Sequence, residues 1–297
     1  MTAKRMDVTR RTALGLIAGG LVPAAAYAAA PRRVAIIDWA ALETALAIGV
    51  MPVAASELLQ YRQVVCEPAI PERVTDIGLR GTPNLEALRL AEPDLILISN
   101  FYEYRRPLFE TIAPVLSHSI YQPGVLPYEP ACRMALEFGR LFERAPEAAK
   151  LIADSDREIA DLRGRLSGRA GRPVFLISIG DQRHFRAFGS DSMFGDVLNR
   201  LGLQNAWKEA TSYSATAPIG FEALAREPDA FIVVIGPIPP DAEQTMQQNG
   251  LWNALPAIRN ERVAILDPVN HFGGLPAARR FVRLLGRSSS FAGSGNG

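Results

Sequence analysis

The chain is poor in the residues that most often announce chemistry. Among 297 residues there are two cysteines, Cys66 and Cys132, and three histidines, His118, His184 and His271. The cysteines lie far apart, in neither a CxxC pair nor a zinc-ribbon spacing, and read as two free thiols packed inside. The histidines are scattered over both halves, and no spacing predicts that they converge on a zinc or manganese ion. There is no GxGxxG, no HExxH and no CxxCH, so the common signatures of dinucleotide, zinc-protease and c-haem chemistry are missing. No Ser-His-Asp arrangement announces itself in the order of residues. Long apolar runs are missing too. The run at residues 13–22 is rich in Ala and Gly and falls short of the roughly 20 residues a membrane-spanning helix needs. An excess of one charge is also absent, the formal balance being +1. That leaves no electrostatic footprint for nucleic acid.

What is present begins with a leader. Lys4, Arg5, Arg10 and Arg11 make a basic start, the apolar run follows, and small residues end in Ala26-Tyr27-Ala28. This reads as a signal peptide over residues 1–28 with an A-x-A cleavage site. Thr9-Arg10-Arg11-Thr12-Ala13-Leu14 suggests the twin-arginine export route and a periplasmic destination, where a disulfide is permissible. Without the leader, which carries Asp7 as its one acid, 28 basic residues face 30 acidic ones.

A phrase occurs twice in the remainder. Asn84-Leu85-Glu86-Ala87-Leu88 leads to Glu92-Pro93-Asp94 and the apolar run Leu95-Ile96-Leu97-Ile98. Gly220-Phe221-Glu222-Ala223-Leu224 leads, one residue sooner, to Glu227-Pro228-Asp229 and Phe231-Ile232-Val233-Val234-Ile235. Each copy predicts a short helix, a Pro-Asp turn and a buried parallel strand. Further strands are expected at residues 34–38, 52–55, 115–120, 174–179 and 263–266, and helices at 40–48 and 277–285. Alternation of helix and strand predicts an α/β fold with two similar lobes, each a mainly parallel sheet flanked by helices, and a ligand cleft between the lobes. Residues 128–168 carry almost no strand signal. From Pro146 to Leu166, Ala149, Ile152, Ile159 and Leu162 lie near one face of a long helix that joins the lobes. The expected organisation is an N-terminal lobe over 29–145, the linking helix over 146–170, a C-terminal lobe over 171–287 and a polar, disordered tail over 288–297.

Several short stretches, in order and spacing, resemble one family. They are Ile37-Asp38-Trp39 with Glu43, Ala47-Ile48-Gly49-Val50, Tyr61-Arg62, Glu67-Pro68, Asp76-Ile77-Gly78-Leu79-Arg80 and Pro83-Asn84-Leu85-Glu86 in the first half. In the second half they are Asp181-Gln182-Arg183-His184, Phe188-Gly189, Asn205-Ala206-Trp207 and Phe281-Val282-Arg283. Together they are similar to periplasmic binding proteins that carry ferric siderophores of the hydroxamate, ferrichrome type to an ABC importer. The resemblance implies two α/β lobes on one long helix that open and close little.

It also implies roles. A ferric tris-hydroxamate has no free coordination position, so its carrier offers donors to the chelating oxygens and does not ligate iron; no cofactor or protein-bound metal is expected. Arginine brings a planar fork of charged donors, and tyrosine an O–H on a rigid body. The residues standing where the family places them are Arg80 and Tyr102. Tyr104 and Arg105, with Arg106, would widen the donor set toward an anionic ligand. Trp39 is a further candidate. The family's apolar wall is only partly kept: Val64 and Ser214 stand where aromatic residues are expected, and Tyr213, Asn270, His271 and Phe272 are the candidates to supply it. Glu86 and Glu222 are implied to dock on two subunits of an inner-membrane permease, and both also suit a helix N-terminus. The protein is expected to be a monomer, with no enzymatic activity and no nucleic-acid partner. Haem, corrinoid or ferric citrate binding on the same fold, and an exported cofactor enzyme, are the alternatives.

Overall fold

The computed structural model describes residues 30–169, 171–209, 211, 218–246 and 248–292. The leader, Tyr213 and Ser214 lie outside these residues.

The first lobe runs β1 (Val34–Ile36), α1 (Trp39–Ala47), β2 (Ala54–Ala55), α2 (Leu58–Val64), β3 (Thr75–Asp76), α3 (Leu85–Leu90), β4 (Leu95–Ile98), α4 (Arg106–Phe109) and β5 (Val115–Ser117). Its five strands are all parallel, in the order β3-β2-β1-β4-β5. Two helices follow, α5 (Tyr128–Leu141) and α6 (Ala145–Arg165). The second lobe holds β6 (Pro173–Ile179), β7 (His184–Ala187), α7 (Met193–Arg200), β8 (Gln204–Asn205), β9 (Ile219–Gly220), β10 (Phe231–Ile235), α8 (Pro240–Met246), α9 (Gly250–Ala254), α10 (Pro256–Arg259), β11 (Val263–Leu266), α11 (Leu275–Arg287) and α12 (Ser289–Ala292). Its sheet has the order β11-β10-β6-β7-β9, with β8 also paired to β6. Among the described strands, only β7 runs against its neighbours. This is the expected two-lobe α/β architecture.

The continuous apolar strands are explained by burial on both faces. In β1 and β4, Val34, Ile36, Leu95 and Leu97 face a core shared with α1, α5, α6, α7 and α11. Ala35, Ile96 and Ile98 face the opposite side and pack beneath Leu88 and Phe109. The second lobe repeats the arrangement. Val174, Leu176, Phe231 and Val233 join the shared core, while Phe175, Ile177, Ile232 and Val234 pack with Trp207, Phe221 and Trp252. One apolar core therefore runs from lobe to lobe through the helices.

Both copies of the repeated phrase form a short helical element followed by a strand. In the first, Asn84 caps α3 by accepting from the N–H groups of Glu86 and Ala87. The second is a tighter 3-10 helix over Phe221–Arg226, preceded by Gly220 without a side-chain cap.

Two expectations need correction. The linking helix α6 has 21 residues and spans roughly 31 Å. It buries Ala148, Leu151, Ser155, Ile159 and Leu162, so the stripe begins at Ala148 and not at Ala149. Gly139 in α5 sets this register, since a Cβ there would lie 2.7 Å from Cβ of Ala148. The tail expected to be disordered from residue 288 is ordered at its start. Residues 289–292 form α12, and Phe291, 1 % exposed, meets the ring of Phe231 at 4.8 Å. Burying one phenyl ring outweighs the polarity of the serines around it. Cys66 and Cys132 are free and half-buried.

Candidate functional site

The order of the first sheet places the site. From β1 the chain moves outward through β2 to β3, then returns to the other side of β1 for β4 and β5. The loops after β1 and β4 therefore diverge and leave a crevice at the carboxyl ends of the strands. Asp38 and Ser99 meet there: the Ser99 hydroxyl donates to Asp38 Oδ2 at 2.9 Å, and the Ala41 N–H donates to Asp38 Oδ1 at 3.0 Å, capping α1.

A cleft of about 380 Å³ opens above this point, lined by Asp38, Trp39, Glu57, Arg80, Gly81, Phe101, Tyr102 and Phe272. Seven of these follow β1, β2, β3 or β4; Phe272 comes from the loop between β11 and α11. Volume alone does not single it out. A depression of about 410 Å³ lies among α1, α6 and α11. There Arg279 is paired with Glu158, Arg283 with Glu67, and Lys150 with Asp154 at 2.8 Å. Its charges are already matched.

In the cleft the guanidinium of Arg80 is held on two sides. Its Cζ lies 3.7 Å from the centroid of the Trp39 ring. Glu57 accepts from Arg80 Nε at 2.7 Å and from the Arg80 N–H at 2.9 Å. Trp39 is itself fixed, its indole N–H donating to the Ser56 carbonyl at 3.0 Å and its ring meeting Tyr61 edge-on at 5.7 Å. The two terminal nitrogens of Arg80 make no hydrogen bond among the described residues, so the fork is oriented and still has donors to offer. Tyr102 is half-buried beside it. Burial, with a smaller push from Asp38, raises its hydroxyl to about 12, so it stays a neutral donor. Burial likewise raises Asp38 above the ordinary carboxylate range, against the pull of its hydrogen bonds and of Arg80. Phe101 and Phe272, both partly exposed, meet edge-on at 6.1 Å and form an apolar side.

Trp39, Arg80, Tyr102 and Phe272 are thus brought together. Tyr104 stands at the rim, 67 % exposed, its hydroxyl donating to the Gly81 carbonyl at 3.1 Å. Arg105 lies 5.6 Å from the Tyr104 ring centroid and does not line the cleft. Arg106 is committed elsewhere, to Glu103 at 2.7 Å and Glu110 at 3.2 Å. The expected shift toward an anionic ligand loses its basis there. Asn270 turns away from the cleft: it is buried, and its amide donates to Glu43 Oε2 at 3.2 Å. The ring of His271 also turns inward, 4.9 Å from Phe188 and 6.0 Å from Phe194, where burial lowers it to about 4. Of that loop, only Phe272 lines the cleft. Asp38, Glu57 and Phe101 were not expected. Asp38 had a local signal, since an aspartate just after a strand and before an apolar helix is a capping residue; Glu57 had none. Glu86 and Glu222 are exposed in the first turns of the two repeated elements. Among the described residues, no group of three or more His, Cys, Asp or Glu side chains is placed to hold a metal ion.

A family profile described as periplasmic binding protein matches residues 34–269. The chain belongs to the periplasmic binding protein family. The iron(3+)-hydroxamate-binding protein FhuD of Escherichia coli is 29 % identical over 262 residues, covering 88 % of each chain. The achromobactin-binding periplasmic protein of Dickeya dadantii is 27 % identical over 281 residues, covering 89 % of this chain and 88 % of that one. Among solved structures, the Fe3+–Desferal-bound siderophore binding protein FhuD from Vibrio cholerae superposes with a TM-score of 0.81 at 24 % identity, over 88 % of this chain and 98 % of that one. At that identity the likeness establishes a shared fold.

Proposed function

We propose that this member of the family captures an iron(III)–siderophore chelate of the tris-hydroxamate type and delivers it intact to an inner-membrane ABC permease. The observation that carries the reading is the pre-oriented Arg80 fork on Trp39, beside the neutral hydroxyl of Tyr102 and facing the Phe101–Phe272 side. Chelating oxygens of a saturated iron(III) complex hold partial negative charge and need donors, while its organic backbone needs apolar contact. The cleft offers both and asks for no bond to the metal. The relative named for binding iron(3+) hydroxamate supports the same class. Binding and docking make up the mechanism, with no bond chemistry.

The test is intrinsic fluorescence titrated with ferrichrome, ferrioxamine, ferric citrate, haemin and cobalamin. Trp39, beneath Arg80, is the reporter nearest the cleft; Trp207 and Trp252 are buried in the second lobe. Saturable quenching by a hydroxamate is expected. Arg80→Ala should weaken it about tenfold to a hundredfold, the range of a lost charge-assisted hydrogen bond, and Tyr102→Phe several-fold. Normal affinity in both variants would refute the site; a response to haemin or cobalamin alone would refute the ligand class.

Exposed Glu86 and Glu222 are the proposed docking points for two permease subunits. Glu86→Arg should block uptake while leaving chelate affinity unchanged; undiminished uptake would remove that role. We also assign the protein as a monomer exported by the twin-arginine route. A dimeric mass in light scattering, or continued export of an Arg10→Lys, Arg11→Lys variant, would contradict these two points.

A further inference from the structure

Resting on that reading, a further inference concerns which chelates the cleft admits. The charge inventory at its wall is small. Among the described residues that line it, Arg80 is the single cation, and Glu57 and Asp38 are the acids. The Arg80 and Glu57 side chains are only 26 % and 13 % exposed, so water and salt screen the pair less than a surface ion pair. The neighbouring Arg106 brings no surplus charge, being matched by Glu103 and Glu110. The described lining residues together are therefore neutral when Asp38 is protonated and carry one negative charge when it is not.

Glu57 also holds an unusual backbone. Its φ of 52° lies in the left-handed region, which strains a residue with a side chain. Helix capping does not explain this. The Glu57 side chain makes no cap bond to α2, and the first helical N–H, that of Leu58, is capped by Asp76 Oδ2 at 3.0 Å. What the strained turn achieves is to lay the carboxylate along Arg80 at the cleft wall.

We propose that Glu57 is a specificity-determining residue: by neutralising Arg80 it admits uncharged iron(III) chelates and rejects those that keep net negative charge. In a tris-hydroxamate, three hydroxamate anions balance the ferric ion, and the complex needs only donors. An iron(III) citrate complex keeps free negative charge, meets Glu57 within the same cleft and is repelled. Arg80 alone would welcome both; the carboxylate supplies the discrimination against the second.

The experiment compares the wild type with Glu57→Gln and Glu57→Asp. Glutamine keeps the shape and an acceptor for the Arg80 N–H but removes the charge. Aspartate keeps the charge, tolerates the left-handed conformation and shortens the reach. Affinities for ferrichrome and for iron(III) citrate are measured by fluorescence on each protein, with thermal melts confirming a folded state. The citrate-to-ferrichrome affinity ratio is expected to rise about tenfold or more in Glu57→Gln and to stay within threefold of wild type in Glu57→Asp. Comparing ratios cancels the difference in shape between the two chelates. An unchanged ratio in the glutamine variant, or an equal rise in the aspartate variant, would overturn the assignment and leave Glu57 a mere support for Arg80. Saturable binding of neither chelate by any of the proteins would overturn the siderophore reading itself, and this inference with it.

Discussion

Glu43 offers a sharp test of how the two lobes are joined. It lies in α1 of the first lobe, is fully buried, and reaches across to the start of α11 in the second. Its carboxyl accepts from the Gly274 N–H, from the Ala277 N–H at 3.4 Å and from the Asn270 amide at 3.2 Å. The approach is possible because residue 273 is glycine; a Cβ there would sit 2.6 Å from Glu43 Oε1. Nearby, the Tyr121 hydroxyl donates to the Gly273 carbonyl at 2.7 Å, a second buried tie from the first lobe. The three donors favour the ionised carboxylate, but removal from water disfavours it more and lifts the group from 4.5 to about 8. A folded-state pKa above the unfolded value means that the folded state holds a proton the unfolded state has released. Stability from this group is therefore complete below pH 4.5 and is lost as the pH rises toward 8. At 1.36 kcal/mol per unit, the loss between about pH 5 and pH 8.5 is roughly 4 kcal/mol. For a domain of this size that corresponds to about 10 °C in melting temperature. Glu43→Gln stays neutral throughout, so the difference between its melting curve and that of the wild type should change by about this amount across the window. All other titrating groups cancel in that difference. Parallel profiles for the two proteins from pH 5 to 8.5 would refute the reasoning and show that the three donors keep Glu43 ionised.

His271 should act in the opposite sense. Burial lowers its folded-state pKa from 6.5 to about 4, so its contribution is present above pH 6.5 and is lost as the pH falls toward 4, by up to roughly 3 kcal/mol. An NMR titration of the ring should give a midpoint below 5, and a midpoint at 6 or above would contradict the inward placement. Phe291→Ala should cost about 3 kcal/mol in urea unfolding, because the ring is buried against Phe231. A cost below about 0.5 kcal/mol, on the order of an ordinary surface substitution, would restore the expectation of a disordered tail.

Much of the architecture is written locally in the chain. The runs that become β1, β4, β6 and β10 are apolar at consecutive positions, which only a strand buried on both faces tolerates in quantity, and this set the α/β class. The repeated phrase marked one strand in each lobe, and Pro146 with the charged, periodic stretch behind it marked α6. Arg80 and Tyr102 were named as site candidates through the resemblance alone; in the structure each follows a strand of the parallel sheet, on the side where ligands bind. Which way the loop side chains turn was decided only in three dimensions. Glu57 meets Arg80 from 23 residues away, Asp38 meets Ser99 from 61, and Asn270 meets Glu43 from 227. His271 and Phe272 are adjacent, yet one enters the core beside Phe188 and the other lines the cleft. Phe291 was hidden among serines, and its burial depends on a surface built by β10 and β11. Periodicity and turn chemistry act over a few residues and settle the elements. A loop side chain instead takes the best balance of desolvation and partners available, and those partners are assembled only when distant elements pack.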